Sequence, residues 1–198
     1  MIACERERAD VALARWLWHR GQREIEPARL VFLDETGTAT NMAPRYGWGR
    51  SSERVVGRAP CGRWESTTFV AGLTETGFIA PLVLNGSMNA TVFEAWIEQS
   101  LIPALPERAV VVMDNLSSHK GRRVRELLEA AGAETLYLPP YSPDLNPIEM
   151  AFAKLKHLLR AARCRTSETL WDEIGTLLDR FEPDECARYL ANAGYAIN

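Results

Sequence analysis

The sequence predicts an α/β domain with a mixed central sheet and helices on both of its faces. Three observations carry this expectation. The run Ala109–Met113 is Val flanked by Ala and Met, the pattern of a strand buried on both sides in a parallel sheet. Ser66–Leu73 and Phe78–Leu84 are strand-like and joined by Thr76-Gly77, which reads as a hairpin. From Ala109 onward strand-like and helix-like stretches alternate, as they do where helices cover a sheet.

Each element follows from local pattern. Val11, Ala14, Trp16 and Leu17 make a rough helical stripe, so residues 1–28 are expected to be a helical lead-in that Pro27 ends. Leu30–Leu33 is an apolar run of strand length closed by Asp34. The stretch Gly37–Gly62, rich in Gly, Pro and Arg and containing Gly47-Trp48-Gly49, is expected to be a long loop or an irregular hairpin. After the hairpin, Val92, Phe93, Trp96 and Ile97 fall at helical spacing over Asn89–Leu101, and Pro103 and Pro106 close that helix. Arg122–Ala131 is helical up to Gly132, and Thr135–Leu138 is a short strand. Pro139–Pro147 is a proline-rich connector. Ile148–Ala162 is amphipathic, with Ile148, Phe152, Leu155 and Leu159 on one stripe. Ser167–Phe181 and Asp184–Asn192 are two further helices. The expected organisation is a lead-in over 1–28, the sheet unit over 29–165, and a C-terminal helical extension over 166–198 packed on that unit. A ribonuclease H-like fold fits this order, and so do other α/β folds with a mixed sheet.

Composition narrows the function classes. A chain of 198 residues suffices for one full core. No apolar run approaches a membrane span, and Met1–Arg8 carries charges of both signs without the apolar stretch of a secretory signal. Cys4, Cys61, Cys164 and Cys186 are far apart with no C-x-x-C pair, so reduced thiols are expected rather than a zinc site or a disulfide framework. The net charge of −3 hides an uneven distribution. Asn41–Arg63 holds five arginines and one acid, Ala151–Arg165 five Lys or Arg and no acid, and Thr166 onward seven acids and two arginines. The two basic stretches read either as solvated faces or as phosphate-binding surfaces.

Three carboxylates stand out. Asp34 and Asp114 each close a core strand, and strand ends in open α/β sheets are where ligand and metal sites collect. An Asp there can also simply begin a turn. Glu149 follows Asn146-Pro147-Ile148, where Asn146 reads as a helix cap, Pro147 as the first helical residue and Glu149 as its capping-box partner. A Glu in the first helical turn can reach neighbouring strand ends as well. Asp144 competes for the same role from within the connector. Three carboxylates from distant parts of the chain meet the demand of phosphodiester cleavage, in which two divalent ions about 4 Å apart stabilise the attacking and leaving oxygens. Without metal, such a cluster is costly or carries raised pKa values.

Leu33-Asp34-Glu35-Thr36, Val112-Met113-Asp114-Asn115, His119-Lys120 and Leu138-Pro139-Pro140-Tyr141-Ser142-Pro143-Asp144-Leu145-Asn146-Pro147-Ile148-Glu149 resemble the DDE catalytic domain of bacterial insertion-sequence transposases in the mariner-like superfamily. Thirty-four residues lie between Asp114 and Glu149, the spacing of that superfamily. Met150–Lys156 and Asn192-Ala193-Gly194-Tyr195 continue the match, which runs from about residue 25 to the C-terminus. The resemblance implies a ribonuclease H-like fold and two Mg2+ or Mn2+ ions on Asp34, Asp114 and Glu149. It implies double-stranded DNA as partner, as transposon ends and as TA-containing target, and a homodimer. It implies cleavage at the transposon ends followed by transfer of the freed 3′-hydroxyl into target DNA, in the cytoplasm at the nucleoid. The N-terminal helix-turn-helix modules of the family have no counterpart here, so an upstream reading frame's DNA-binding product is an expected partner.

Residues of a second rank are Asn115, expected to hold a metal-bound water or fix its turn, His119, expected near the scissile phosphate or as a loop brace, and Asn146. Arg50, Lys120, Arg122, Lys154, Lys156 and Arg160 are candidates for DNA phosphates. Trp48 reads as a contact for DNA or a partner subunit, or as an aromatic capping the core. Two other readings stand beside a transposase. One is a nuclease on the same fold; the other is a non-catalytic remnant serving as a DNA-binding or dimerisation module.

Overall fold

The computed structural model describes residues 4–116 and 119–195. Strands β1 (Leu30–Ala39), β2 (Ser66–Thr74) and β3 (Gly77–Asn85) form an antiparallel meander. β4 (Val110–Met113) lies parallel to β1, and β5 (Glu134–Tyr137) parallel to β4, giving the order β3-β2-β1-β4-β5. The helices are α1 (Ala9–Gly21), α2 (Ala90–Trp96), α3 (Arg122–Ala130), α4 (Ile148–Ala162), α5 (Ser167–Leu178) and α6 (Pro183–Asn192).

Strand alternation sorts the side chains into two cores. Leu30, Phe32, Val110 and Val112 face a layer built from α4, α5 and α6, including Phe152, Leu155, Ile174 and Leu190. Val31, Leu33, Val111 and Met113 face Phe93 and Trp96 of α2 and Val124 and Leu128 of α3. A fully buried Phe such as Phe152 contributes about 2–3 kcal/mol by leaving water. Helices thus cover both faces, as expected.

Three elements differ from their sequence reading. The lead-in helix stops at Gly21 rather than at Pro27, which instead opens a 3-10 turn over Pro27–Arg29. β1 does not end at Asp34 but runs on to Ala39, because β2 pairs with it from Phe32 to Ala39. Thr36 and Thr38 are buried there, and β-branched threonines suit a strand despite their polarity. The expected helix over Asn89–Leu101 is α-helical only to Trp96, where the indole N–H donates to Ala80 O at 2.8 Å. It then widens into a π-turn over Ile97–Leu101 before Pro103. At the start of α2 Asn89 does cap, accepting the Val92 N–H at 3.0 Å.

The long connection between β1 and β2 has no helix or strand from residue 40 to 65. Its base is closed by Thr40 N–H to Glu65 O and Glu65 N–H to Thr40 Oγ1, both 3.1 Å. Trp48 is fully exposed on it, so this tryptophan does not cap the core; Tyr46, Val56 and Trp64 are exposed with it.

Candidate active site

Leu33 pairs with Met113 at the last rung of the β1–β4 ladder, so Asp34 and Asp114 follow side by side where β4 stops and β1 continues. Both share the parity of Leu30, Phe32, Val110 and Val112, the face that α4 covers. Glu149 is the second residue of α4. Asp34, Asp114 and Glu149 line one open cavity of about 310 Å3, walled otherwise by Asn115, Asn146 and the proline-rich connector.

Asp34 is nearly buried, at 9% exposure. Its Oδ1 accepts the Glu35 N–H at 2.7 Å and its Oδ2 accepts the Asn146 amide at 2.9 Å. Burial pushes its pKa up to about 7, against the Glu35 hydrogen bond, and the charges of Glu149 and Asp114 add to the rise. Asn146 therefore does not cap α4, the role its sequence position suggested. Pro147 already has helical dihedrals, no side chain caps the helix, and the Asn146 amide is spent on Asp34.

Asp114 is held from the opposite face. His119 is wholly buried, its Nδ1 2.7 Å from Asp114 Oδ1 and its Nε2 3.2 Å from Glu35 Oε1, with its ring 4.6 Å from that of Phe93. Burial disfavours the imidazolium, but the hydrogen bonds to the two carboxylates outweigh it and raise the pKa to about 9. With a carboxylate oxygen at each ring nitrogen, His119 is placed to donate from both. Asp114 also accepts the Leu116 N–H at 2.9 Å. Burial would raise Asp114; the His119 and Leu116 hydrogen bonds hold it below the usual carboxylate range. His119 is accordingly a brace between two carboxylates. Asn115 donates its amide to Leu138 O and fixes its turn. Ser117 and Ser118, beside His119 in the sequence, lie outside the described residues.

Glu35 has no role in the sequence reading, although it sits within the quoted motif. Strand parity turns it away from Asp34, so nothing in the carboxylate spacing marks it. The available signal was an acid on the α2 and α3 side of a strand otherwise buried by Val31 and Leu33.

The connector is clasped from both ends of the chain. Arg15 donates to both oxygens of Asp144, at 2.7 and 3.0 Å, and Arg6 to one at 3.1 Å. Tyr195 donates its hydroxyl to Leu145 O at 2.8 Å and accepts the Trp18 indole N–H at 2.9 Å. Asp144 is thereby engaged as a latch between α1 and the connector.

The basic candidates divide. Lys154 is taken up within the protein: its ammonium bonds Glu185 and Arg180 O and sits 4.5 Å from the Phe181 ring, which removes it from the phosphate-binding set. Lys156 is half-buried and makes no ion pair among the described residues. Arg160 lines a small cleft with Arg45 and His157; burial and then the Arg45 charge lower its pKa. Lys120 is exposed near the Tyr137 ring, Arg122 is exposed and paired with Glu126, and Arg50 is exposed on the β1–β2 connection.

Among the described residues, no three His, Cys, Asp or Glu side chains are gathered tightly enough to enclose an ion as they stand. The groups present still fit a hard divalent cation. Mg2+ takes one or two carboxylates and keeps several waters rather than needing an all-protein cage. The open cavity is lined by the carboxylates and by Asn146, whose buried Oδ1 has no hydrogen-bond partner among the described residues.

Comparison with known proteins gives the family and the fold. The sequence model of the DDE superfamily endonuclease family matches residues 29–171. Among solved structures, a pre-cleavage Mos1 transpososome superposes with a TM-score of 0.76 at 22% identity, over 93% of this chain and 58% of that one. The Mos1 paired-end complex with Mg gives 0.77 at 21% identity, over 98% and 62%. The isolated catalytic domain of Mos1 mariner transposase gives 0.72 at 20% identity, over 98% and 91%. The chain thus spans about three-fifths of the protein in the transpososome and nine-tenths of the isolated catalytic domain. At these identities the likeness carries the ribonuclease H-like fold. No curated protein matches the sequence. The family match over most of the chain makes the assignment: this chain belongs to the DDE superfamily of endonucleases.

Proposed function

We propose that the chain is the catalytic domain of a DNA transposase, of the mariner-like kind carried by bacterial insertion sequences. The observation that carries this is the meeting of Asp34, Asp114 and Glu149 in one open cavity on the scaffold of that family. Mos1 has been solved with Mg, with Mn and in a strand transfer complex, which supports divalent-metal strand transfer here.

In this reading Asp34, Asp114 and Glu149 hold two Mg2+ or Mn2+ ions. Ions held there would supply charge stabilisation to the attacking and leaving oxygens of an in-line displacement. The protein's own part is orientation. Asn146 sets Asp34, His119 with Glu35 sets Asp114, and the clasped connector delivers Glu149. Water cuts the transposon ends; the freed 3′-hydroxyl then attacks a TA-containing target phosphodiester. Arg50, Lys120, Arg122, Lys156 and Arg160 bind DNA phosphates. Residues 29–165 form the catalytic unit, with 1–28 as lead-in and 166–198 as its packed extension. A homodimer brings two ends together, and an upstream reading frame supplies end recognition. No helix among the described residues is long and apolar enough to cross a membrane, and we place the protein in the cytoplasm at the nucleoid.

The test is cleavage and joining of a labelled duplex carrying the element's own terminal repeats, with Mg2+ or Mn2+, with and without the upstream product. Metal-dependent joined products that vanish in Glu149→Gln support a transposase. Cleavage without joining points to a nuclease on this fold, and metal-independent DNA binding without cleavage to a non-catalytic module.

A further inference from the structure

Asn146 is 4% exposed, lines the cavity of Asp34, Asp114 and Glu149, and spends only half of its amide. Its N–H donates to Asp34 Oδ2 at 2.9 Å, while its Oδ1 is buried with no partner. Buried acceptors in folded chains are nearly always completed by a donor, so an unpaired one lining a cavity calls for a partner. The alternative orientation of the amide would leave its buried nitrogen unpaired instead and set its oxygen against Asp34 Oδ2, so an ionised, metal-ligating Asp34 selects the orientation described. Proline on the C-terminal side and the Leu145 carbonyl held by Tyr195 fix the backbone of this residue, so the side chain is not free to seek solvent.

What such an acceptor takes is an O–H donor delivered into the cavity. A hydrated Mg2+ brings several, because it keeps most of its waters. We infer that Asn146 is a two-ended positioning residue of the metal site, its N–H fixing Asp34 as a ligand and its carbonyl oxygen receiving a water of the ion's hydration shell. The inference rests on the proposed metal-dependent reading. It gives Asn146 a part that neither a helix cap nor a packing residue has, since both of those would leave metal affinity unchanged.

Titrating the metal-free protein with Mg2+ alone, by calorimetry and by melting temperature, tests it. Wild type is expected to bind and Asp114→Asn to lose binding. Asn146→Ala should bind about tenfold more weakly, the usual lower cost of removing a partner that orients a ligand. Asn146→Asp keeps the shape but sets a carboxylate against Asp34; its metal-free melting temperature should fall, and Mg2+ should raise it by more than in wild type. Wild-type affinity in Asn146→Ala, with binding still lost in Asp114→Asn, overturns the inference alone. No Mg2+ binding by wild type overturns it together with the metal-site reading. Should the alanine variant fail to fold, the isosteric aspartate decides: a Mg2+ response equal to that of wild type overturns the inference.

Discussion

The wall that carries the three carboxylates and the β1–β2 connection are opposite in construction. In the wall, each of the two carboxylates at the sheet has a buried partner: Asn146 on Asp34, and His119 on Asp114, itself stayed by Glu35. From Ala43 to Trp64 the connection makes one backbone hydrogen bond among those described, Glu53 N–H to Arg50 O at 3.1 Å. It carries exposed Arg50 and Trp48 with nothing packed against them. Gly47 and Gly49 let it fold back on itself, since a Cβ at either would stand 2.8 or 2.7 Å from Val55. On the proposed reading, the difference separates residues that need geometry from residues that need only charge. Transition-state chemistry demands fixed ligands, whereas a phosphate contact tolerates a loose cation.

Breaking the wall should have the largest effect. Asp114→Asn removes one carboxylate charge while keeping volume and an oxygen for the Leu116 and His119 hydrogen bonds, so the variant should fold, less stably because buried His119 loses a counter-charge, and bind DNA while cleavage falls below detection. Circular dichroism, a binding isotherm and a cleavage assay on one preparation check this. Loss of the folded state would place Asp114 among structural residues instead. The comparison can also be read without mutation. Amide exchange over β1 should be slower by several orders of magnitude than over 44–64, because one set of N–H groups sits in a central ladder and the other faces water. Equal exchange would mean that the connection is ordered by contacts of its own.

A smaller effect is expected at the latch between the two ends of the chain. Burial alone would raise Asp144, but the hydrogen bonds and charge of Arg15, with the charge of Arg6, hold it below the usual carboxylate value. Asp144→Asn leaves the mostly buried Arg15 without its counter-ion and should cost about 1–2 kcal/mol at neutral pH, the low end of a charged hydrogen bond because Asp144 is partly exposed. A depressed carboxylate stabilises the fold above its unfolded pKa and stops doing so as pH falls through its folded value. The melting difference between wild type and variant should therefore be full at neutral pH and close progressively below about pH 4. A difference that stays constant into acid would show that the latch acts through shape and not charge.

Most of the scaffold was legible because burial writes itself as pattern. The valine run gave β4, the Thr76-Gly77 turn gave the hairpin, and the Ile148–Leu159 stripe gave α4. The tail of β1 was not, since Thr36-Gly37-Thr38 is polar and becomes a strand only through its long-range partner β2. Asp34 and Asp114 were nameable from strand ends, and Glu149 from its place in the first turn of a helix together with the family resemblance. Their partners were harder. Asn146 had a local explanation as a helix cap, and tertiary structure overrode it. Glu35 is adjacent to Asp34 in sequence and on the other face in space, so only the position of His119, 84 residues away, reveals what it does.

The smallest expected effect separates two lysines that sequence alone places in one class. Lys154 and Lys156 lie two residues apart on α4, hence about 200° around the helix, and meet different surroundings. Lys154 is bonded to Glu185 and Arg180 O over the Phe181 ring, and this ties α4 to the start of α6. Lys156 has no ion pair among the described residues. Lys154→Ala should lower the melting temperature by a few degrees, with about 1 kcal/mol lost, and leave DNA affinity and its salt dependence unchanged. Lys156→Ala should do the reverse: stability unchanged, DNA binding a few-fold weaker, and the slope of log affinity against log salt reduced by about 1. Melting curves and salt titrations of the two variants side by side decide the matter. A salt slope that moves with Lys154 and not Lys156 would put the DNA path on the α6 side of α4.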